Sequence, residues 1–137
     1  MILITPIGFV RNGIRERPDA WADIYSDIHI EEEFVDGLEG LSDFSHVMVI
    51  FYLDRSSDFL LKVHPRGNKD LPLVGVFSTR APIRPNFIGV SVVELVKVDK
   101  NVVTVRGLDT YDGTPILDLK PHLSCVVPAR VPEWVHQ

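Results

Sequence analysis

The chain holds one cysteine, Cys125, among its 137 residues. A lone thiol excludes an internal disulfide and any multi-cysteine zinc site. Within Ser124-Cys125-Val126-Val127 it reads as a small apolar strand residue, not a nucleophile. The five histidines (His29, His46, His64, His122, His136) show no His-x-x-x-His spacing, so no metal is expected. No apolar run approaches the ~20 residues that cross a bilayer, and no membrane association is expected. The start, Met1 to Pro6, has no basic segment ahead of an apolar one. It is not a signal peptide, and a cytoplasmic location follows as the expectation. Positive charge is scarce too: 14 Lys and Arg face 19 Asp and Glu, for a net charge of −5. That counts against strong sequence-independent nucleic-acid binding, though not against a small ligand, and leaves any contact with nucleic acid to a local cluster.

What is present is an ordinary globular composition, 45% hydrophobic and 24% charged, at a length suited to one domain over residues 1–137. The pattern is one of short strands. Leu3 to Val10 reads as a first strand, interrupted at Pro6 and Gly8 and so at an edge or bulge. Arg11-Asn12-Gly13 is a turn signal, and Ile14 to Trp21 a loop. Ile24, Ile28 and Ile30 alternate with Tyr25, Asp27 and His29, as in a half-buried strand. Glu31 to Gly40 spaces its apolar residues for one or two helical turns. His46 to Leu53 is almost continuously apolar, which predicts a central strand buried on both faces. A single helical turn is expected at Asp58–Lys62.

Phe87 to Val98 and Val102 to Leu108 form the clearest hairpin, turned at Asp99-Lys100-Asn101. In it Val90, Val92, Val96 and Val98 share one face. Strands this short, with brief helical pieces, predict an all-β sandwich or barrel, and periodicity does not choose between them. The tail from Pro128 to Gln137 is expected to lie along the surface, anchored by Trp134.

Two segments carry chemistry. Gly75 to Gly89 begins as a strand and breaks at Pro82 and Pro85, which lack a ladder donor and stiffen the loop between. That loop bears Ser78, Thr79, Arg80, Arg84 and Asn86. Two guanidiniums among small polar groups suit either a preorganised ligand site or a surface loop whose arginines are solvated or paired with a nearby carboxylate. Thr110 to Thr114 is a second polar turn, with Gly113 free to take a positive φ. Lys62, His64, Arg66 and Lys69 form the most basic cluster, either solvated or suited to phosphate.

Gly75–Gly89, followed by Leu108-Asp-Thr-Tyr-Asp-Gly-Thr-Pro-Ile-Leu-Asp-Leu-Lys-Pro121, resembles the TsaA/YaeB-type family. Pro6-Ile-Gly8, Gly40-Leu-Ser-Asp-Phe-Ser-His46 and Pro65-Arg-Gly67 match in the same order along nearly the whole chain. Characterised members, called TrmO, are S-adenosylmethionine-dependent methyltransferases that act on threonylcarbamoyl-adenosine in tRNA, at position 37 beside the anticodon. The resemblance implies a single-sheeted β-barrel that pairs into a homodimer, with the ligand site near the subunit boundary. By motif position it implies cofactor contacts at Pro18, Asp19, Ala20, Asp54, Arg55, Arg84, Leu95, Asp112, Gly113, Thr114 and Pro115.

The cofactor's chemistry adds Arg80 or Arg84 as partner of its carboxylate, with Asn86 beside them on the same loop. Phe77, Ile88, Leu95 and Pro115 are candidates for an adenine wall, and Asp112 or Asp19 for an acceptor to its ammonium or ribose. Asp118 is the candidate general base, with a structural ion pair to Lys120 as the competing reading. Lys62, Arg66 and Lys69 are the candidate tRNA contacts. Arg17 and Asp54 depart from the Gln and His that the family commonly carries there. A barrel that binds S-adenosylmethionine as a sensor, without transferring its methyl, is the alternative.

Overall fold

The computed structural model describes residues 1–124 and 127–137, so the reading of Cys125 lies outside the described residues. The chain divides into two compact units: Met1–Asp54 with Ile88–His122, and Arg55–Phe87 with Leu123–Gln137.

In chain order the strands are β1 (Gly8–Arg11), β2 (Tyr25–Ile30), β3 (His46–Tyr52), β4 (Lys62–Val63), β5 (Val74–Gly75), β6 (Ile88–Asp99), β7 (Val102–Arg106) and β8 (Pro115–Pro121). Of these, β4 and β5 belong to the second unit. The others close the first unit into an antiparallel barrel, in the order β1-β2-β7-β6-β3-β8. The period-2 alternation read for β2 is present, with Ser26, Ile28 and Ile30 buried. Inside, Val10, Ile28, Val47, Val49, Val103, Val105, Leu108 and Ile116 are completely buried. Most are β-branched, as a pleated surface favours.

Three expectations change. The strand expected over Leu3 to Val10 reduces to Gly8–Arg11, and Met1 to Ile4 are exposed. Pro6 has no N–H to extend the ladder. β3 is buried on one face only: Val47, Val49 and Phe51 point inward, whereas Met48 and Ile50 lie half-buried outside. A closed barrel has a single dry interior, so a fully apolar strand must leave one of its faces outside. In β6 the pairing with β7 shifts register between Leu95 and Lys97. This bulge turns Val98 toward the core, while Val90, Val92 and Val96 face out.

The segment after β2 folds as 3-10 turns at Glu32–Leu38 and Leu41–Asp43, in keeping with the helical turns expected there. Outside the barrel, Arg106 binds Asp23 at 2.6 Å, lies 3.8 Å from Glu94, and sits over the Tyr25 ring at 5.7 Å. These contacts tie β2, β7 and β6 together.

In the second unit, β4 and β5 make a two-stranded sheet. The helical turn expected at Asp58–Lys62 is absent. Leu60 N–H donates to Ile83 O at 3.2 Å and Leu61 O accepts from Val76 N–H at 2.8 Å, which holds this stretch extended. The strand expected to open the Gly75 to Gly89 segment ends at Gly75 itself, and Val76–Ser78 is a 3-10 turn. The tail ends in a 3-10 turn at Glu133–His136.

β1 is short, yet it closes the barrel by pairing with both β2 and β8. Gly8 permits the close approach: a Cβ there would lie 2.3 Å from the His29 carbonyl oxygen. Gly8→Ala is therefore expected to cost about 1–3 kcal/mol, as overpacking does. Urea unfolding at neutral pH checks this, and an unchanged midpoint would contradict it.

Candidate functional site

Alternating strand directions sort the loops between the two ends of the barrel. At one end lie the β1–β2 connection (residues 12–24), the β7–β8 connection (107–114), and the points where the chain leaves after β3 and returns at β6. Pro18, Asp19, Ala20, Asp54, Asp112, Gly113, Thr114 and Pro115 all lie on these connections or at their edges. The fold thus brings the barrel's share of the expected cofactor residues, Leu95 excepted, to one end.

Asp112 anchors this end. Its Oδ1 accepts from the backbone N–H of Asn12 at 2.9 Å and of Gly13 at 3.1 Å, and its own N–H donates to Ile14 O at 2.8 Å. Arg15 stands 3.9 Å from Oδ2. Asn12 completes the frame through its side chain. Its Nδ2 donates to Ser26 Oγ at 2.9 Å and Thr110 O at 3.0 Å, and its Oδ1 accepts from Ile14 N–H at 2.9 Å. Gly113, at φ 84°, donates to Val10 O at 2.8 Å. The Thr114 hydroxyl is buried and donates to Tyr111 O at 2.7 Å. Trp21 meets Tyr111 edge-on at 5.5 Å, so the 12–24 loop rests against the 107–114 loop. The result is a stiff polar platform whose oxygens are already largely committed within the protein. Asn12 is the residue that sequence reasoning missed: the Asn-Gly pair signals a turn, but nothing local signals its partners.

Leu95 takes a different place from the one expected for a wall of the site. At 9% exposure it belongs to the barrel core, and its N–H donates to Ser45 O. Its odd-numbered position in β6, before the bulge, points the side chain inward. Asp118 forms an ion pair with Lys120 at 2.9 Å and accepts from Leu119 N–H at 2.9 Å. Three residues along β8 separate it from Pro115, about 10 Å of strand. Of the two readings left open for this carboxylate, the geometry favours the structural ion pair.

In the second unit the Arg80–Asn86 loop is ordered from within. Thr79 Oγ1 donates to Val76 O at 2.7 Å and accepts from Ala81 N–H at 3.2 Å. Arg84 donates through Nη1 to Thr79 O and Ala81 O, at 3.0 and 3.1 Å. One guanidinium thus braces the loop, while Arg80 is exposed and makes no ion pair among the described residues. Phe77 is 76% exposed, an apolar ring presented to solvent. Asn86 is exposed on the same loop, and Arg55 opens this unit. Of the basic cluster, Lys62 and Lys69 are exposed. Arg66 instead donates to the carbonyls of Trp134 at 3.2 Å and of Gln137, so it holds the tail.

Residues 9–126 match the family described as the tRNA-methyltransferase O N-terminal domain. The chain belongs to the TrmO family. It is 42% identical over 126 residues to a probable S-adenosyl-L-methionine-binding protein of Methanothermobacter thermautotrophicus, covering 88% of this chain and 90% of that one. It is 33% identical over 138 residues to the mouse tRNA (adenine(37)-N6)-methyltransferase, covering 90% of this chain and 31% of that enzyme. The crystal structure of TrmO from Pseudomonas aeruginosa superposes with a TM-score of 0.75 at 32% identity, over 95% of this chain and 61% of that one. The chain therefore spans about three-fifths of the TrmO structure. The closed barrel agrees with the fold expected of the family.

The Asp112 carboxyl is held below its usual range, chiefly by the Asn12 amide, then by that of Gly13, with Arg15 adding attraction. A lowered folded-state pKa gives stability that is present above the unfolded-state value and lost as pH falls through the folded one. Asp112→Asn is expected to be less stable than the parent at neutral pH, with the gap closing in acid. Thermal melts over an acid series check this, and parallel curves at every pH would contradict it.

Proposed function

We propose that this protein is an S-adenosyl-L-methionine-dependent methyltransferase acting on the N6 nitrogen of threonylcarbamoyl-adenosine at tRNA position 37. It works in the cytoplasm and as a homodimer. The single observation that carries the reading is the Asn12–Asp112 platform. The family's Asp112-Gly-Thr-Pro115 motif stands there as a rigid, hydrogen-bonded turn at a barrel end.

The side chains suit the cofactor's chemistry. Its carboxylate calls for an uncommitted guanidinium, and Arg80 is one. Its ammonium and sulfonium call for acceptors, and Asp19 and Asp54 are exposed carboxylates at the platform end of the barrel. The adenine calls for an apolar surface of the kind Phe77 presents. When bound, S-adenosyl-L-methionine supplies an electrophilic methyl for in-line displacement, so the protein's task is positioning and electrostatics. Stiff turns serve that task better than mobile ones. The acceptor nitrogen lies next to a carbonyl and is a weak nucleophile, which makes close placement matter more.

Homologues named for S-adenosyl-L-methionine binding support the cofactor, and the mouse enzyme's name supports the tRNA base. For the RNA, Lys62 and Lys69 are the proposed phosphate contacts, since Arg66 is occupied by the tail. No helix among the described residues is long and apolar enough to cross a membrane.

Calorimetry is expected to show saturable S-adenosyl-L-methionine binding that Arg80→Ala weakens about tenfold, as expected when a charge-assisted hydrogen bond is removed. Labelled-methyl transfer to total tRNA is expected from the parent protein. Lys62→Ala with Lys69→Ala should leave cofactor affinity unchanged and flatten the salt dependence of tRNA binding. The log-log slope should fall by about 0.7–0.9 for each phosphate no longer neutralised. Cofactor binding without any methyl transfer would sink the enzymatic reading.

A further inference from the structure

Charge is divided unevenly between the two units. Residues 55–87 and 123–137 hold seven of the chain's 14 Lys and Arg but only three of its 19 Asp and Glu, a net charge of +4. The first unit, which forms the barrel, carries −9. The overall value of −5 thus conceals a basic unit, and a polyanion is drawn to one unit and repelled by the other. Lys62, Lys69 and Arg80 are exposed and make no ion pair among the described residues, so their charge faces solvent.

The same unit presents apolar side chains that the function above does not use. Phe59, Leu60 and Leu61 are 45%, 58% and 62% exposed, three consecutive large residues that run directly into Lys62. Their backbone is fixed. Phe59 N–H donates to the Asp58 carboxylate at 2.8 Å, and Leu60 N–H to Ile83 O at 3.2 Å. Leu61 O accepts from Val76 N–H at 2.8 Å. The run is therefore held extended and tied to the Arg80–Asn86 loop, with its side chains left in water.

A fixed, exposed aromatic ring beside uncommitted cations is what a single-stranded nucleic acid requires: bases stack on the ring and phosphates meet the ammonium groups. A duplex buries its base faces and offers such a ring nothing. A second copy of the chain suits the run less well, because subunit contacts exclude lysine from their centre and Lys62 adjoins this one.

We propose that the Phe59–Leu61 run is a surface for single-stranded RNA, on which a nucleobase stacks against the Phe59 ring while the Lys62 ammonium holds the adjoining phosphate. It rests on the tRNA reading above and adds to it a base contact. An RNA loop supplies unpaired bases, so the run grips a neighbour of the base to be methylated and fixes the loop's register.

The test uses the full chain and two synthetic RNAs, a stem-loop and a fully paired duplex of the same length. Phe59→Ala is expected to weaken stem-loop binding about tenfold, as loss of one stacked base does. It should leave duplex binding, S-adenosyl-L-methionine affinity and the melting temperature unchanged. It should also keep the parent's log-log salt slope, since stacking releases no counterions. Phe59→Trp is expected to restore the affinity, with indole emission quenched by the stem-loop beyond any change in the parent. Equal weakening toward both RNAs, or no weakening, overturns the stacking surface and leaves the tRNA reading standing. Vesicles containing phosphatidylserine that bind the parent but not Phe59→Ala, with stem-loop binding intact, make the run a membrane contact and overturn it. A fall from dimer to 15.4 kDa in light scattering, again with stem-loop binding intact, makes it a subunit contact and overturns it too. A parent that binds neither RNA at low salt overturns the stacking surface and the tRNA reading together.

Discussion

Everything in the barrel depends on a four-residue strand being allowed very close to its neighbour. β1 has two ladders to make, one on each side, and only Gly8 to Arg11 with which to make them. Without it the sheet would present two open edges and its interior would be wet. The strand is too short to be held by its ladders alone. It is held at its far end by Asn12, whose side chain reaches β2 through Ser26 and the 107–114 loop through Thr110. Closure of the barrel and rigidity of the platform thus meet at Asn12, where the ladders of β1 end and the bonds of the platform begin. Substituting Asn12 would disturb both, which makes the two properties hard to select separately.

Much of the architecture was legible in the residues. The alternation in β2 and the valine-rich hairpin of β6 and β7 state a period of two, and only a pleated strand satisfies it. What a local window misses is each place where its pattern meets a global constraint. The valines at 90, 92, 96 and 98 look equivalent in sequence, but the bulge between Leu95 and Lys97 reverses the parity of the last one. His46 to Tyr52 looks doubly buried because its outer side chains are apolar too. In a barrel wall only one face of the strand meets the interior, so Met48 and Ile50 are left half-buried on the other.

The candidate site divides in the same way. Asp112 and Gly113 announce a turn, and the turn is there. That the Asp112 carboxylate is consumed by amides a hundred positions earlier cannot be read from a window of any ordinary length. Leu95 shows what motif position leaves out: parity along β6 sends its side chain into the core, which a local window does not reveal. Among the arginines, sequence cannot rank Arg80 and Arg84. Hydrogen bonds to two carbonyls of its own loop make Arg84 the brace and leave Arg80 uncommitted.

The connection between β3 and β6 has a wider meaning. Tyr52 is paired directly with Ile88, so the chain leaves the barrel and returns to it at adjacent points. Topologically, β3 and β6 are a hairpin whose turn has been replaced by a cassette of residues 55–87. A barrel with such a port can exchange whole inserts without altering its strand order or interior. The insert carries Arg80, Phe77, Lys62 and Lys69, the groups proposed to recognise ligand and RNA. Substitutions in the cassette would therefore alter recognition without touching the packing that holds β3 against β6.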